Sequence, residues 1–235
     1  MENFTFVLSR TFFNRYVSFF AFLFILLSSS FHVMAAENNI NPKDSDGDGV
    51  TDAKETIDCT DPLDGCSYKA SSVTLAQSAS WKAMDCDGDG VTNGKEIIDC
   101  TDPLDGCSYK PSSVTLAQSA SWKALDCDGD GVTNGKEIID CTDPLDGCSY
   151  KASSVTLAQS ASWKAIDCDG DGVTNGDETT DNTNPLDGCS YLTASVTLTP
   201  NAAWEALDCD GDGVTNGNET TDNTDPLDGC SYLAA

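Results

Sequence analysis

The sequence predicts a small, irregular repeat array: acidic loops joined by short helical turns and short strands, with little regular secondary structure. Three observations predict it. The string Asp-x-Asp-Gly-Asp-Gly-Val-Thr begins at Asp44, Asp85, Asp126, Asp167 and Asp208, always 41 residues apart. The 12 Cys fall at a few recurring positions of that period. Apolar residues are small and dispersed, and no long amphipathic segment is present to build one large core. Strict spacing of this kind describes a linear series of similar modules, each touching mainly its neighbours. The repeats are 44–84, 85–125, 126–166, 167–207 and a partial fifth, 208–235. The second and third differ only at Pro111/Ala152 and Leu125/Ile166.

The segment ahead of the repeats reads as a signal peptide, 1–35, and a linker, 36–43. Arg10 and Arg15 form a basic start. Val17 to Leu27 is an apolar run of 11 residues interrupted only by Ser18, and Val33-Met34-Ala35-Ala36 offers a small-residue cleavage site. Eleven apolar residues are too few to cross a bilayer, which needs about 20. The expectation is therefore a secreted, extracellular or cell-surface chain with no membrane span after cleavage. Cleavage would remove every Phe, both Arg and the single His. It leaves ten Lys against 38 acidic residues, a net charge of −28. Such a chain repels itself unless cations neutralise it. It also lacks the cationic partners that nucleic acid requires.

Each repeat reads in three parts. Residues 85–96 form an acidic loop. Residues 96–109 form a short helical turn followed by turns, because Asp102-Pro103 and Asp105-Gly106 are turn formers. Residues 113–124 form a spacer, in which Val114, Thr115 and Leu116 predict a short strand and 119–124 one helical turn. Every spacer holds a Trp (Trp81, Trp122, Trp163, Trp204), and every turn region ends on a Tyr (Tyr68, Tyr109, Tyr150, Tyr191, Tyr232). These aromatics read as one small core per module. The alternative is an aromatic row that binds carbohydrate.

The acidic loop has the chemistry of a calcium site. Ca²⁺ takes six to eight oxygens at about 2.3–2.6 Å. A twelve-residue loop supplies them from positions 1, 3 and 5, a carbonyl at 7, often a water held by 9, and a bidentate Glu at 12, with Gly at 6 for the turn. The first repeat offers Asp44, Asp46, Asp48, Val50, Asp52 and Glu55 around Gly49. The second offers Asp85, Asp87, Asp89, Val91, Asn93 and Glu96. The third offers Asp126, Asp128, Asp130, Val132, Asn134 and Glu137. The fourth offers Asp167, Asp169, Asp171, Val173, Asn175 and Glu178, and the fifth Asp208, Asp210, Asp212, Val214, Asn216 and Glu219. The predicted fold is thus calcium-stabilised, with EF-hand-like loops and Ca²⁺ as the cofactor. Oxygen donors without His disfavour transition metals. The breaks at Gly94 and Pro103 favour a structural site over a sensor. Asp99, Thr101, Asp102 and Asp105 read either as a second ion site or as capping and turn residues.

Two cysteine positions recur. One is loop position 2 (Cys86, Cys127, Cys168, Cys209), and the other follows the turn (Cys66, Cys107, Cys148, Cys189, Cys230). A third occurs only in repeats one to three (Cys59, Cys100, Cys141). Ser45 replaces the loop cysteine where no repeat precedes. That favours inter-repeat bridges (Cys66–Cys86, Cys107–Cys127, Cys148–Cys168, Cys189–Cys209) and leaves pairing within a repeat, such as Cys168–Cys189, open.

The string Asp-x-Asp-Gly-Asp-Gly-Val-Thr-Asn-Gly-x-Glu, followed by Asp-x-Thr-Asp-Pro-Leu-Asp, resembles thrombospondin type-3 repeats of the kind found in bacterial surface and adhesion proteins. The resemblance covers 44–235. It implies a fold organised around bound Ca²⁺ and a role in surface or matrix adhesion. The 41-residue period includes a spacer longer than in compact arrays of this type, and no anchoring domain follows, so the sequence reads as a fragmentary array. The expected function is a rigid extracellular spacer or adhesion segment whose partner is an extracellular or cell-surface protein or glycan. The alternative is a dockerin-like protein-binding module. No enzyme is expected, because the mature chain has no His for a nucleophile–base pair and no core to shape a pocket.

Overall fold

The computed structural model describes residues 42–231. The expected signal peptide and most of the linker lie outside them. The chain divides into two compact units, Met1–Trp81 and Lys82–Ala235.

In the first unit, a loop leads into helix α1 (Asp52–Asp58), a chain of turns, a single 3-10 turn at Ala70–Ser72, and helix α2 (Ala79–Lys82). The second unit repeats this order. It contains α3 (Asn93–Asp99), α4 (Ala120–Lys123), α5 (Asn134–Asp140), α6 (Ala161–Ala165), α7 (Asn175–Asp181), α8 (Ala202–Glu205) and α9 (Asn216–Asp222). The longer helices all stop on a residue in the left-handed region, such as Cys100 at φ 60°. An Asp-Pro or Asn-Pro step follows two residues later, and proline cannot continue the helix.

The described residues contain no strand, which corrects the expectation for Val114, Thr115 and Leu116. That segment is extended, but Thr115 and Leu116 both donate their N–H to one carbonyl, Gly90 O, at 2.9 Å, and Ser119 donates to Gly88 O at 2.8 Å. A strand needs its donors distributed along a neighbouring strand. Here they converge on the acidic loop of the same repeat, so the spacer folds back as a cover for that loop. Thr74, Leu75 and Ser78 do the same to Gly49 and Gly47 in the first unit.

The core is small and modular. Val91, Tyr109 and Trp122 are buried together with partly buried Val114, and the same quartet recurs in repeats one, three and four. Tyr109 and Trp122 meet edge to face, with centroids 5.7 Å apart. The Trp122 indole N–H donates to Gly106 O at 2.6 Å. The tryptophans are therefore interior, as the core reading has it, and do not form an exposed binding row. Gly135 lies inside α5, where glycine costs helix stability. A Cβ there would sit 2.9 Å from Lys123 O, so the glycine admits the end of the preceding spacer.

Disulfides Cys107–Cys127, Cys148–Cys168 and Cys189–Cys209 join the turn of one repeat to the loop of the next, each across 20 residues. Cys66 and Cys86 are also disulfide-bonded. The within-repeat alternative Cys168–Cys189 is not adopted. Each bridge restricts the unfolded chain by closing a loop, for which a few kcal/mol is typical.

Trp122→Phe should keep most of the ring burial while leaving the buried Gly106 carbonyl without its donor. The expected loss is about 1–3 kcal/mol, read as a lower denaturant midpoint. Trp122→Ala should cost more, about 3–5 kcal/mol.

Candidate metal centre

Local hydrogen bonds shape each loop before any ion is considered. In the third repeat Asp126 Oδ1 accepts from the Gly129 N–H at 2.8 Å, and Oδ2 accepts from Gly131 N–H at 3.0 Å. Asp128 Oδ1 accepts from Asp130 N–H at 3.1 Å, and Asp130 Oδ1 from Val132 N–H at 2.7 Å. These bonds coil the backbone so that three aspartates converge. Gly131, at position 6, has φ 92°, a conformation that L side chains rarely adopt. Helix α5 then brings in Glu137 from its first turn, fully buried.

The result is a cluster of buried oxygens that no hydrogen bond satisfies. Asp128 Oδ2, Asp130 Oδ2 and both carboxylate oxygens of Glu137 lack any donor. The same four atoms recur in every repeat, from Asp46, Asp48 and Glu55 through Asp87, Asp89 and Glu96, and Asp169, Asp171 and Glu178, to Asp210, Asp212 and Glu219. Ligand oxygens of the aspartates at positions 1, 3 and 5 lie within 4.8 Å of one another in all five. Buried carboxylates without partners are costly unless a cation or protons neutralise them. The electrostatics agree. Burial first, and then the neighbouring aspartate charges, push Glu96, Glu137 and Glu178 up to about 8 and Glu55 to about 7. The same causes raise Asp87 and Asp128 to about 7. Glu219 is raised as well.

The position-7 valines Val50, Val91, Val132 and Val173 bury their side chains in the module cores, and Val214 is partly buried. Position 9 takes a different part. Asn134 Oδ1 accepts from Cys127 N–H at 3.1 Å, while Nδ2 donates to Trp122 O at 3.2 Å. Asn175 and Asn216 repeat both bonds, and Asn93 Oδ1 accepts from Cys86 N–H at 3.1 Å. Asp52 takes a hydrogen bond from Ser45 N–H and pairs with Lys43 at 2.6 Å. This side chain braces the loop and, in repeats three to five, fastens it to the preceding spacer. The signal was present in the sequence: Asn stands at position 9 wherever Cys stands at position 2, and Asp52 accompanies Ser45.

The residues considered for a second ion serve the local fold. Asp99 pairs with Lys95 at 2.5 Å and accepts from Ser113 Oγ at 2.6 Å. Asp102 and Asp105 each accept from a backbone N–H two residues on, at 3.1 Å. Asp102 lies near enough to Glu96 for its charge to help raise that carboxyl. The position-2 cysteines Cys127, Cys168 and Cys209 are bridged, so sulfur is withdrawn from the donor set and only oxygen remains.

A family model, the bacterial TSP3 repeat, matches residues 44–65, 85–106, 126–147, 167–188 and 208–229. Residues 44–229 thus hold five bacterial thrombospondin type-3 repeats in tandem, and each match begins on an aspartate of a cluster just described. No curated protein and no solved structure matches the chain. All five clusters have the donors to hold a metal ion.

Two outcomes follow from the cluster. Folded-state values of about 6–8 lie above ordinary carboxylate values near 4. Between them the metal-free fold binds more protons than the unfolded chain, so its stability is highest at the acid end and falls as pH rises through the window. Melting in chelator at pH 5 and pH 8 should show the lower midpoint at pH 8, and metal uptake in this window should release protons. The second outcome concerns the fifth loop, whose Asp208 is exposed and whose Asp212 is only partly buried, whereas Asp48, Asp89, Asp130 and Asp171 are buried. Titration should find this site weakest, about tenfold below the others, a difference of about 1.4 kcal/mol. Glu219→Gln should remove the weak phase and Glu137→Gln a strong one.

Proposed function

We propose that each repeat binds Ca²⁺ and that the ions rigidify the chain into an extracellular spacer or adhesion segment. The observation that carries this reading is the recurrence, in all five repeats, of four buried carboxylate oxygens without a hydrogen-bond donor. A hard cation taking six to eight oxygens suits an all-oxygen, anionic loop, whereas softer metals prefer the nitrogen and sulfur that this site lacks. Positions 1, 3, 5 and 12 would supply the carboxylates, with the position-7 carbonyl and solvent completing the shell. Affinity in the range of extracellular modules, about 10⁻⁴–10⁻³ M, is expected.

The role proposed is structural rather than catalytic. The loop is tied to its own spacer through the Gly90 carbonyl and, in repeats three to five, to the preceding spacer through the position-9 asparagine. An ion that fixes the loop therefore fixes both. Disulfides support an oxidising, extracellular setting. Among the described residues no helix is long and apolar enough to cross a membrane. The partner proposed is an extracellular or cell-surface protein or glycan.

Chelation tests the proposal. EDTA should lower the melting midpoint of the purified chain by at least about 10 °C, a shift of a few kcal/mol. It should also red-shift the emission of the buried tryptophans, with recovery on adding Ca²⁺. Unchanged melting and emission would refute the calcium role.

A further inference from the structure

Repeats one to three differ from repeats four and five at a concerted set of positions around the helix that follows the loop. The second and third repeats carry Lys95 and Lys136, the pairs Ile97-Ile98 and Ile138-Ile139, a terminal Cys100 and Cys141, and Lys110 and Lys151 further on. The fourth repeat has Asp177, Thr179-Thr180, Asn182 and Leu192 at the same places. The fifth has Asn218, Thr220-Thr221 and Asn223. The fold does not require the first set. Helices α7 and α9 have the same seven-residue length as α3 and α5 and end in the same left-handed conformation, φ 60° at Asn182 and Cys100 alike. Asparagine is also the better residue there, because its side chain tolerates positive φ. The thiols and isoleucines therefore stand where folding alone would accept Asn and Thr.

These side chains face outward. Ile98 is 75% exposed and Ile139 74%, and Cys100 and Cys141 are exposed and free. Two ammonium groups flank one carboxylate in each repeat. Lys95 and Lys110 lie 2.5 and 3.7 Å from Asp99, and Lys136 and Lys151 lie at the same distances from Asp140. On a chain of net charge −27, each of these patches sets two lysines against one aspartate beside an exposed isoleucine. The first unit carries most of this set in itself, with Thr56 in place of the first isoleucine: Ile57 is 74% exposed, Cys59 is exposed and free, and Lys54 and Lys69 flank Asp58.

We propose that these patches, one on each of repeats one to three, receive a second copy of the chain and that disulfides between Cys59, Cys100 or Cys141 of the two copies lock the pair. Charge and spacing select the occupant. Acidic loops repel one another, so copies can approach only where the acid is offset, and the Lys–Asp–Lys groups do that. A two-fold contact is self-complementary, which lets a lysine of one copy meet an aspartate of the other. A second copy also offers three free thiols at the same 41-residue spacing. A cysteine left over beside formed disulfides in an exported chain either pairs between molecules or stays a free thiol, and the experiment below separates the two.

The bond forms by two exchanges with a small-molecule disulfide. A thiolate of one copy attacks it, giving a mixed disulfide and one small thiol. A thiolate of the other copy then displaces the second small thiol. The two cysteines lose two protons and two electrons, and the small disulfide is reduced to two thiols. The cell would supply this oxidant only if the chain is exported as proposed above, whereas a purified system supplies it directly and tests the surface alone.

The test uses the exported chain with Ca²⁺ and a mixture of oxidised and reduced glutathione. The expected product is a covalent dimer on non-reducing gels, lost on reduction, whose cross-linked peptides contain Cys59, Cys100 or Cys141. The combined variant Cys59→Asn, Cys100→Asn, Cys141→Asn takes the residue that repeats four and five already carry. It should keep the circular dichroism and lose at least nine-tenths of the dimer. Ile57→Thr, Ile98→Thr and Ile139→Thr together should slow dimer formation about tenfold while the thiols stay titratable. The proposal is overturned by a monomer with all four thiols titratable (Cys59, Cys100, Cys141 and Cys230), by bridges through Cys230 alone, by thiols capped only with glutathione or paired within one chain, or by isoleucine variants that cross-link as fast as the parent.

Discussion

The structure depends on one electrostatic constraint. Each repeat turns carboxylate oxygens from positions 3, 5 and 12 inward and buries them without donors. Among the described residues none donates a hydrogen bond to these oxygens. Lys54, Lys95 and Lys136, on the helices that carry the buried glutamates of repeats one to three, pair instead with Asp58, Asp99 and Asp140. A fold that concentrates negative charge in this way is coherent only with positive charge added, either as protons, which the raised carboxyl pKa values report, or as a cation. The aromatic cores, each a valine, a tyrosine and a tryptophan with a second valine packed against them, are too small to carry a module of this length alone.

The loop is also a joint. Its glycine carbonyls accept from the spacer that follows, and in repeats three to five its position-9 asparagine holds the spacer that precedes. A disulfide enters the same loops at position 2. Tyr109, whose ring belongs to the core of its own repeat, has its hydroxyl pushed up to about 12, by burial first and then by Asp143 in the turn of the next repeat, Asp89 in its own loop and Glu137 in the next. A perturbation of one loop is therefore felt in two spacers and two cores. This close coupling is the physical basis on which repeat proteins gain stability from neighbours.

Comparison among the repeats separates what the fold needs from what it does not. The loop and the turn persist in all five repeats and the Trp and Tyr of the core in the first four, where each has a packing or hydrogen-bonding role. The Lys, Ile and Cys of the first three repeats are exchanged for Asp or Asn, Thr and Asn without altering helix length or termination. Sequence symmetry inside one chain thus acts as an internal control on the meaning of surface residues.

Much of the architecture was legible in the sequence, because the signals are local and periodic. The 41-residue period gave the modules. The spacing of Asp126, Asp128, Asp130 and Glu137 gave the converging carboxylates, and Ser45 in place of a cysteine gave the inter-repeat bridges. What only the tertiary structure decided was the direction of groups with more than one possible partner. The N–H groups of Thr115 and Leu116 turn to a loop carbonyl rather than to a strand. Asn134 turns to Cys127 and Trp122, and Asp99 turns to Lys95 and Ser113. The composition of a side chain or a peptide unit fixes how many hydrogen bonds it can make. Which ones it makes depends on what packing brings within about 3 Å, and that is a property of the folded neighbourhood rather than of the local sequence.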